Sequence, residues 1–590
     1  MSTATGKLSV VTEEIIRNAL TAAALEMSKT LVRTAYNPLL YEVQDFGLGI
    51  LSAQGDLWAE APGVTDFVGA LPDTIRGGLT KLGADGYAEG DVLIVNDPFL
   101  TGSHISDTCV YMPVFYEGRL VAFASGTAHW ADIGGKSPGG WCPDSTDVYQ
   151  EGICFSHQKL IRAGRPNTDL WDLIANNVRY PDLVRGDLEA QIAACRQGAS
   201  RVIKLCQKYG PDTVQAAMDS VIERTLASVR RQIAAIPDGR YQASVCFDHH
   251  ESHQDIRHRL CVNLEIEGDR LRVDFDGTTP TARGPINLPA LGARSAVRGA
   301  LKGVLQPLDA CNQGHLEAVE VHVSPGLLVS AERPAPCDSY GYASIALTEL
   351  VIQALASAIP ERCPAGTYQL FGAFFFRVDS RDGRPFISED PIAGGNGARP
   401  HGDGPSLIFL GNGDTPNTPV EVQETRFPLR VERYGFWPSS AGAGRYRGGM
   451  GLRRDIRVLE PGIFMQLAVE NTQDLLARGM NGGTDGAASR AVAWPDTERE
   501  ETLWERISYF GPLSPGDIVS IRSGGGGGWG DPLTRDPRQV ADDVRNELLT
   551  PDEAAATYGV VLQPDGRAWR VDQAATDALR TSRGAAARKE

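Results

Sequence analysis

VLIVNDPFLTGSHISDTCVYMPVFYEGRLVAFASGTAHWADIGG, residues 92–135, is the stretch from which the rest of the chain is read. Val92–Val95 is an apolar run rich in β-branched residues, and Asn96-Asp97-Pro98 ends it. Residues 108–115 and 120–125 predict two more strands, joined by Tyr116-Glu117-Gly118-Arg119. That connection is short enough for a tight hairpin, with Gly118 supplying the positive φ such turns need. A turn centred on Glu117-Gly118 sets Asp107 opposite Ala128, one step from His129. A turn one residue longer or shorter moves that register by one. His104 sits three residues before Asp107, so two imidazoles and a carboxylate converge at one end of a small sheet. Such donors suit zinc, manganese or iron. Spacing alone leaves open a plain polar cluster at a hairpin end.

Upstream, EEIIRNALTAAALEMSKTLVRTAY keeps an apolar face through Ile16, Leu20, Ala23, Met27 and Leu31, which predicts a long helix capped at Thr12. FGLGILS and LWAE predict a second hairpin, with Asp45 just before it and Glu42 three residues earlier. Downstream, GGKSPGGWCPDSTDVYQEG has the composition of a long ordered loop or lid. Helical patterns dominate from about Asp169 to Ile236, and strand-like alternation follows to about Phe275. The cluster His249, His250, His253 and His258 reads as a solvated loop, because no carboxylate shares a face with the pair at i, i+4. PVEVQETRFPLRVERYGFWP reads as strands. SGGGGGWGDP lacks the Lys-Ser/Thr of a phosphate loop and reads as a tight backbone corner.

These patterns predict an α+β, multi-domain chain with mixed sheets, a helical segment in the first half and a glycine-rich, β-dominated C-terminal half. The expected divisions are an N-terminal α/β region at 1–165, helices at 166–238, a middle α+β region at 239–390, the glycine-rich region at 391–565 and a tail at 566–590. With 590 residues and 42% hydrophobic content there is ample material for several cores. The net charge of −17, without a Lys/Arg block, argues against nucleic acid as a partner. Ten scattered cysteines with no C-x-x-C argue against a zinc ribbon or a disulfide scaffold. Glu13 and Glu14 stand where a signal peptide needs its apolar core, and no apolar run is long enough to span a membrane. The expected location is cytoplasmic.

The stretches NDPFLTGSHISDTCVYMPVF, GTAHWADIGG, NVRYPDLVRGDLEAQIAA, DGTTPTARGPINLP, GRYRGGMGL, GGGGGWGDPLTRDP and LTPDEAAATYGVVL resemble the hydantoinase B/oxoprolinase family, in order and over nearly the whole chain. The resemblance implies one subunit of an ATP-dependent hydrolase of cyclic amides (hydantoin, oxoproline or lactam rings). It implies a hydantoinase A-type partner that binds ATP and phosphorylates the carbonyl, in a heterotetramer or larger assembly. It places a divalent ion, zinc or manganese and possibly iron, on His104, Asp107, His129 and Asp45. A water on that ion would be the nucleophile, with Glu42 as a proton acceptor. The alternatives are a subunit of an acetone- or acetophenone-type ketone carboxylase, and a scaffold whose ion is structural. The chain departs from the family at Glu42-Val43-Gln44-Asp45 and around Asp338-Ser339-Tyr340-Gly341, which bears on the choice of substrate.

Overall fold

The computed structural model describes residues 8–251, 254–369, 371–409, 413, 415–470, 477–503, 507–566 and 568–587. Helix α1 (Val10–Thr34) starts earlier than expected, because Ser9 rather than Thr12 is the cap: its Oγ accepts the Thr12 N–H at 3.1 Å. Next come α2 (Pro38–Tyr41), β1 (Phe46–Ser52), β2 (Leu57–Glu60), α3 (Thr65–Leu82) and β3 (Val92–Val95). They are followed by α4 (Pro98–Thr101), β4 (Asp107–Tyr116), β5 (Arg119–His129), β6 (Gln158–Arg162) and β7 (Arg165–Pro166). The seven strands form one antiparallel sheet in the order β2-β1-β5-β4-β3-β6-β7.

Both faces of this sheet are buried. Val110, Val114, Ala122 and Ala124 enter one core together with residues of α1, while Cys109, Tyr111 and Phe123 meet Val68, Leu71 and Ile75 of α3 on the other side. The helical region consists of α5 (Thr168–Asn177), α6 (Pro181–Tyr209) and α7 (Pro211–Ile233). Gln191 of α6 fixes that helix to the hairpin. Its Oε1 accepts the Trp130 indole N–H at 2.8 Å, and its Nε2 donates to the carbonyls of Thr108 and Gly126 at 2.9 and 3.2 Å.

The hairpin turn falls on Glu117-Gly118, with φ of 50° and 76°. The register differs from expectation by one residue. A bulge between Val114 and Phe115 shifts the pairing, so that Asp107 faces His129 directly instead of Ala128.

A second sheet of β8 (Gly239–Glu251), β9 (Gln254–Glu267), β10 (Arg270–Asp274) and β11 (Val319–Val321) shares a core with α8 (Ala290–Leu305) and α10 (Gly341–Ala356); the short α9 (Gln313–Glu317) lies between α8 and β11 in sequence. The histidine cluster is therefore not a loop. His249 and His250 sit on β8, His258 is buried on β9, and His253 lies outside the described residues.

The strands β12 (Phe371–Arg377), β13 (Phe386–Ser388), β16 (Ile463–Val469) and β19 (Ile507–Leu513) form one sheet in the order β13-β12-β16-β19, which takes strands from both sides of residue 390. Residues 420–426 form a helix, α11 (Val420–Arg426), ahead of the expected strand β14 (Leu429–Trp437). A five-stranded sheet adds β15 (Gly451–Val458), β17 (Arg490–Ala493), β18 (Glu501–Leu503) and β20 (Ile518–Arg522). After α12 (Pro537–Arg545), α13 (Pro551–Tyr558) and the ribbon β21 (Leu562–Asp565) with β22 (Ala568–Val571), the expected tail is the helix α14 (Gln573–Ala587). Its buried Thr576 accepts the Val561 N–H at 3.0 Å, and Arg580 donates to the carbonyls of Tyr558 and Arg535.

Residues 524–528 are not a corner but the middle of a stack of glycine backbones. Gly526 donates to Gly449 O and accepts from Gly442 N; Gly527 donates to Gly366 O and accepts from Ala398 N. Neighbouring chain segments approach so closely that a Cβ on Gly526 would lie 2.0 Å from Asn396 O.

His157 gives a stability test away from the site. It is buried, with Nδ1 2.9 Å from the Tyr111 hydroxyl, and burial followed by the charge of Lys81 lowers its pKa from 6.5 to about 4. Between those values the unfolded chain binds more protons than the folded one. The contribution is complete above pH 6.5 and lost as pH falls towards 4, about 3 kcal/mol in all. His157→Gln keeps an acceptor for Tyr111 and carries no such proton. The variant is expected to lose less melting temperature than the parent between pH 7 and pH 4.5.

Candidate metal centre

Asn96, at the end of β3, holds the loop that carries His104. Its Nδ2 donates to the carbonyls of Ile105 and Ile153 at 2.9 Å each, and its Oδ1 accepts the Phe155 N–H. Gly102 ends α4 with φ +83°, and a Cβ there would lie 2.5 Å from Gly292 N, so the loop fits only against a bare backbone. The Asp107 N–H then donates to His104 O at 3.1 Å, closing the turn into β4. His129 arrives from the last position of β5, opposite Asp107.

Three donor atoms meet at one point. His104 Nε2, His129 Nδ1 and Asp107 Oδ1 are each 3.1 Å from the other two, and all three residues are buried. Adjacent ligands in an octahedral site with bonds of about 2.1 Å stand about 3.0 Å apart, against about 3.4 Å in a tetrahedral one. The triangle therefore fits two imidazoles and a carboxylate on one face of a hard or borderline cation such as manganese or iron(II). Asp338, which also lines the cavity, favours the charged form of His104 alongside Asp107, the placing of a carboxylate beside a metal-bound imidazole.

The pairing of β1 with β5 brings Asp45 to the same place. Phe46 lies opposite Ala128, the His129 N–H donates to Asp45 O at 3.1 Å, and Asp45 lines the cavity beside the trio. Its carboxylate stands outside the tight group of donors, all of which lie within 4.8 Å of one another. Glu42 lies at the C-terminal end of α2, away from the cavity wall. A carboxylate that sequence reading missed takes the nearer place. Glu389, just after β13, has Oε1 3.6 Å from His129 Nε2 and Oε2 accepting from Asn37 Nδ2 at 3.3 Å. It faces the outer nitrogen of His129, where carboxylates orient metal-bound imidazoles. No spacing in the sequence links it to the hairpin.

Burial disfavours charge on every member, and mutual attraction overrides it. Asp107 is held far below the usual carboxylate range by the two imidazoles, and it raises His104 to about 9 and His129 well above its ordinary value. Asp45 is pushed up to about 6 by burial. A bound cation would displace the imidazole protons, reversing the direction for the two histidines, and would favour the ionised form of both carboxylates.

The family model described as hydantoinase B/oxoprolinase matches residues 9–532. The chain belongs to that family. It is 31% identical over 574 residues to a putative D-/L-hydantoinase subunit from Pseudomonas sp. strain NS671, covering 94% of this chain and 96% of that one. The crystal structure of the ATP-dependent caprolactamase from Pseudomonas jessenii superposes with a TM-score of 0.89 at 29% identity, over 98% of this chain and all of the other. A nucleotide-free acetone carboxylase shares the fold at TM-score 0.89 and 20% identity, over 98% and 84%. The fold is thus the α+β, multi-domain arrangement of these enzymes, and family membership supports an enzymatic role. The hydantoinase relative is by its name one subunit of a larger enzyme, which implies a partner chain. Among the described residues no helix is long and apolar enough to cross a membrane.

Proposed function

We propose that this chain is the metal-holding subunit of an ATP-dependent enzyme that hydrolyses a cyclic amide phosphorylated by a hydantoinase A-type partner. The convergence of His104, Asp107 and His129 at mutual distances of 3.1 Å carries the reading. His104, Asp107 and His129 would hold the ion, with Asp45 as a further oxygen ligand. The ion would supply Lewis acidity to a carbonyl oxygen and to water near neutral pH. Glu389 holds the His129 ring in the orientation that turns Nδ1 inward, through its 3.6 Å approach to Nε2. The aromatic wall, with Trp141 stacked on Phe374 at 5.2 Å, excludes bulk water from the ring.

The experiment is amide hydrolysis by the purified complex with ATP, before and after chelation and metal return. Chelation is expected to stop ring opening and one of manganese, iron or zinc to restore it. Product formation that survives complete metal removal would refute the proposal, and turnover requiring bicarbonate would mark a carboxylase instead. Glu389→Gln is expected to keep bound metal but lower kcat/KM about a hundredfold, as measured by steady-state assay beside metal content.

A further inference from the structure

A second cavity, of about 660 Å³, lies beyond Glu389 from the metal centre. Asn37 lines it and joins the two: its Nδ2 donates to Glu389 Oε2 at 3.3 Å, and Glu389 Oε1 stands 3.6 Å from His129 Nε2. On a chain of net charge −17 this lining gathers four arginines, Arg179, Arg377, Arg384 and Arg426. Two of them are engaged. Arg179 pairs with Asp132 at 2.8 Å, and Arg377 pairs with Glu460 at 2.8 Å and donates to the Arg384 carbonyl. Among the described residues Arg384 and Arg426 form no ion pair; both are exposed, and Arg426 lies over the Tyr41 ring at 5.5 Å. The start of α6 opens onto the same space at Pro181 and Asp182, and no side chain caps it. With Glu460 taken by Arg377, Asp182 is the one lining carboxylate left to face Arg384 and Arg426.

We propose that this cavity binds a phosphate-bearing anion, held by Arg384 and Arg426 together with the start of α6. A guanidinium presents paired N–H donors in one plane, which match two oxygens of a phosphate. The first turn of a helix adds free backbone N–H groups and positive potential at the same point. Cavities of this size take whole small molecules, so a phosphate joined to an organic group has room as well as the free ion. Phe386 and Phe427, with ring centroids 5.5 Å apart, form an apolar part of the wall on which such a group can rest. The ligand does not reach the trio, because Asn37 and Glu389 stand between.

The test is isothermal titration of the purified full chain, stripped of metal by chelation, with inorganic phosphate and with ADP at low salt. At least one probe is expected to bind at a single site with Kd below about 1 mM. The double variant Arg384→Gln/Arg426→Gln, changed only at exposed positions, is expected to bind at least about tenfold more weakly with an unchanged melting temperature. Phosphate binding as tightly as ADP supports the site with the free ion as its ligand. ADP binding at least about tenfold more tightly than phosphate supports it with an organic phosphate as its ligand. Failure of both probes to bind, or unchanged affinity in the double variant, would overturn the proposal.

Discussion

Asp107→Ala is expected to reduce ring opening by about a thousandfold or more while ATP binding by the partner chain survives. Asp107 is fully buried and its Oδ1 stands 3.1 Å from both His104 and His129, so its removal takes away the charge that draws the two imidazoles together. Breaking a buried charged cluster also costs stability, about 3–5 kcal/mol, so lost activity needs a control for folding. Asp107→Asn supplies it, since the amide keeps the shape and an acceptor oxygen but not the charge. Both variants are expected to be inactive, and the asparagine form to keep a melting temperature closer to that of the parent. Full activity in the asparagine form would remove the charge of Asp107 from the chemistry.

Gly526→Ala is expected to leave no soluble folded protein. The added methyl would lie 2.0 Å from Asn396 O and 2.2 Å from its carbonyl carbon, both backbone atoms of a neighbouring chain segment. The two segments are tied to one another by Gly395 N to Gly524 O and Ala398 N to Gly527 O, so no flexible side chain can yield. A clash of this kind belongs to the rare class of substitutions that cost more than about 4–5 kcal/mol. Gly303→Ala is the matched control: it lies inside α8 with nothing within 4 Å of the new methyl. That change is expected to stabilise by about 0.5–1 kcal/mol, because alanine is the better helix former. Thermal melts of the two variants separate close packing from a general intolerance of substitution.

Local pattern made much of this molecule legible. The apolar stripe of α1, the three helices between Thr168 and Ile233 and the Glu117-Gly118 turn all rest on forces acting within a few residues, and the structure has them where periodicity and turn chemistry put them. The hairpin even brought His104, Asp107 and His129 together, although the bulge at Val114/Phe115 changed the register by one. Long-range features were not legible. Glu389 reaches His129 because Phe376 of β12 and Ile387 of β13 pack against Ala131 and Tyr180, and no spacing records that contact. Residues 524–528 were read as a corner because glycine usually marks a turn; here it marks close approach on several sides, which depends on chain segments far away in sequence. The same holds for α14, whose Arg580 and Thr576 fix it to Tyr558, Arg535 and Val561 although its composition looks like a loose end.

The most direct test of the central claim is the metal content of the purified chain, measured by elemental analysis together with anomalous diffraction from crystals. The expected result is one divalent ion per chain, with its anomalous peak inside the triangle of His104 Nε2, Asp107 Oδ1 and His129 Nδ1, and none in Asp107→Ala. An active preparation with no bound metal, or with a peak elsewhere, would contradict it.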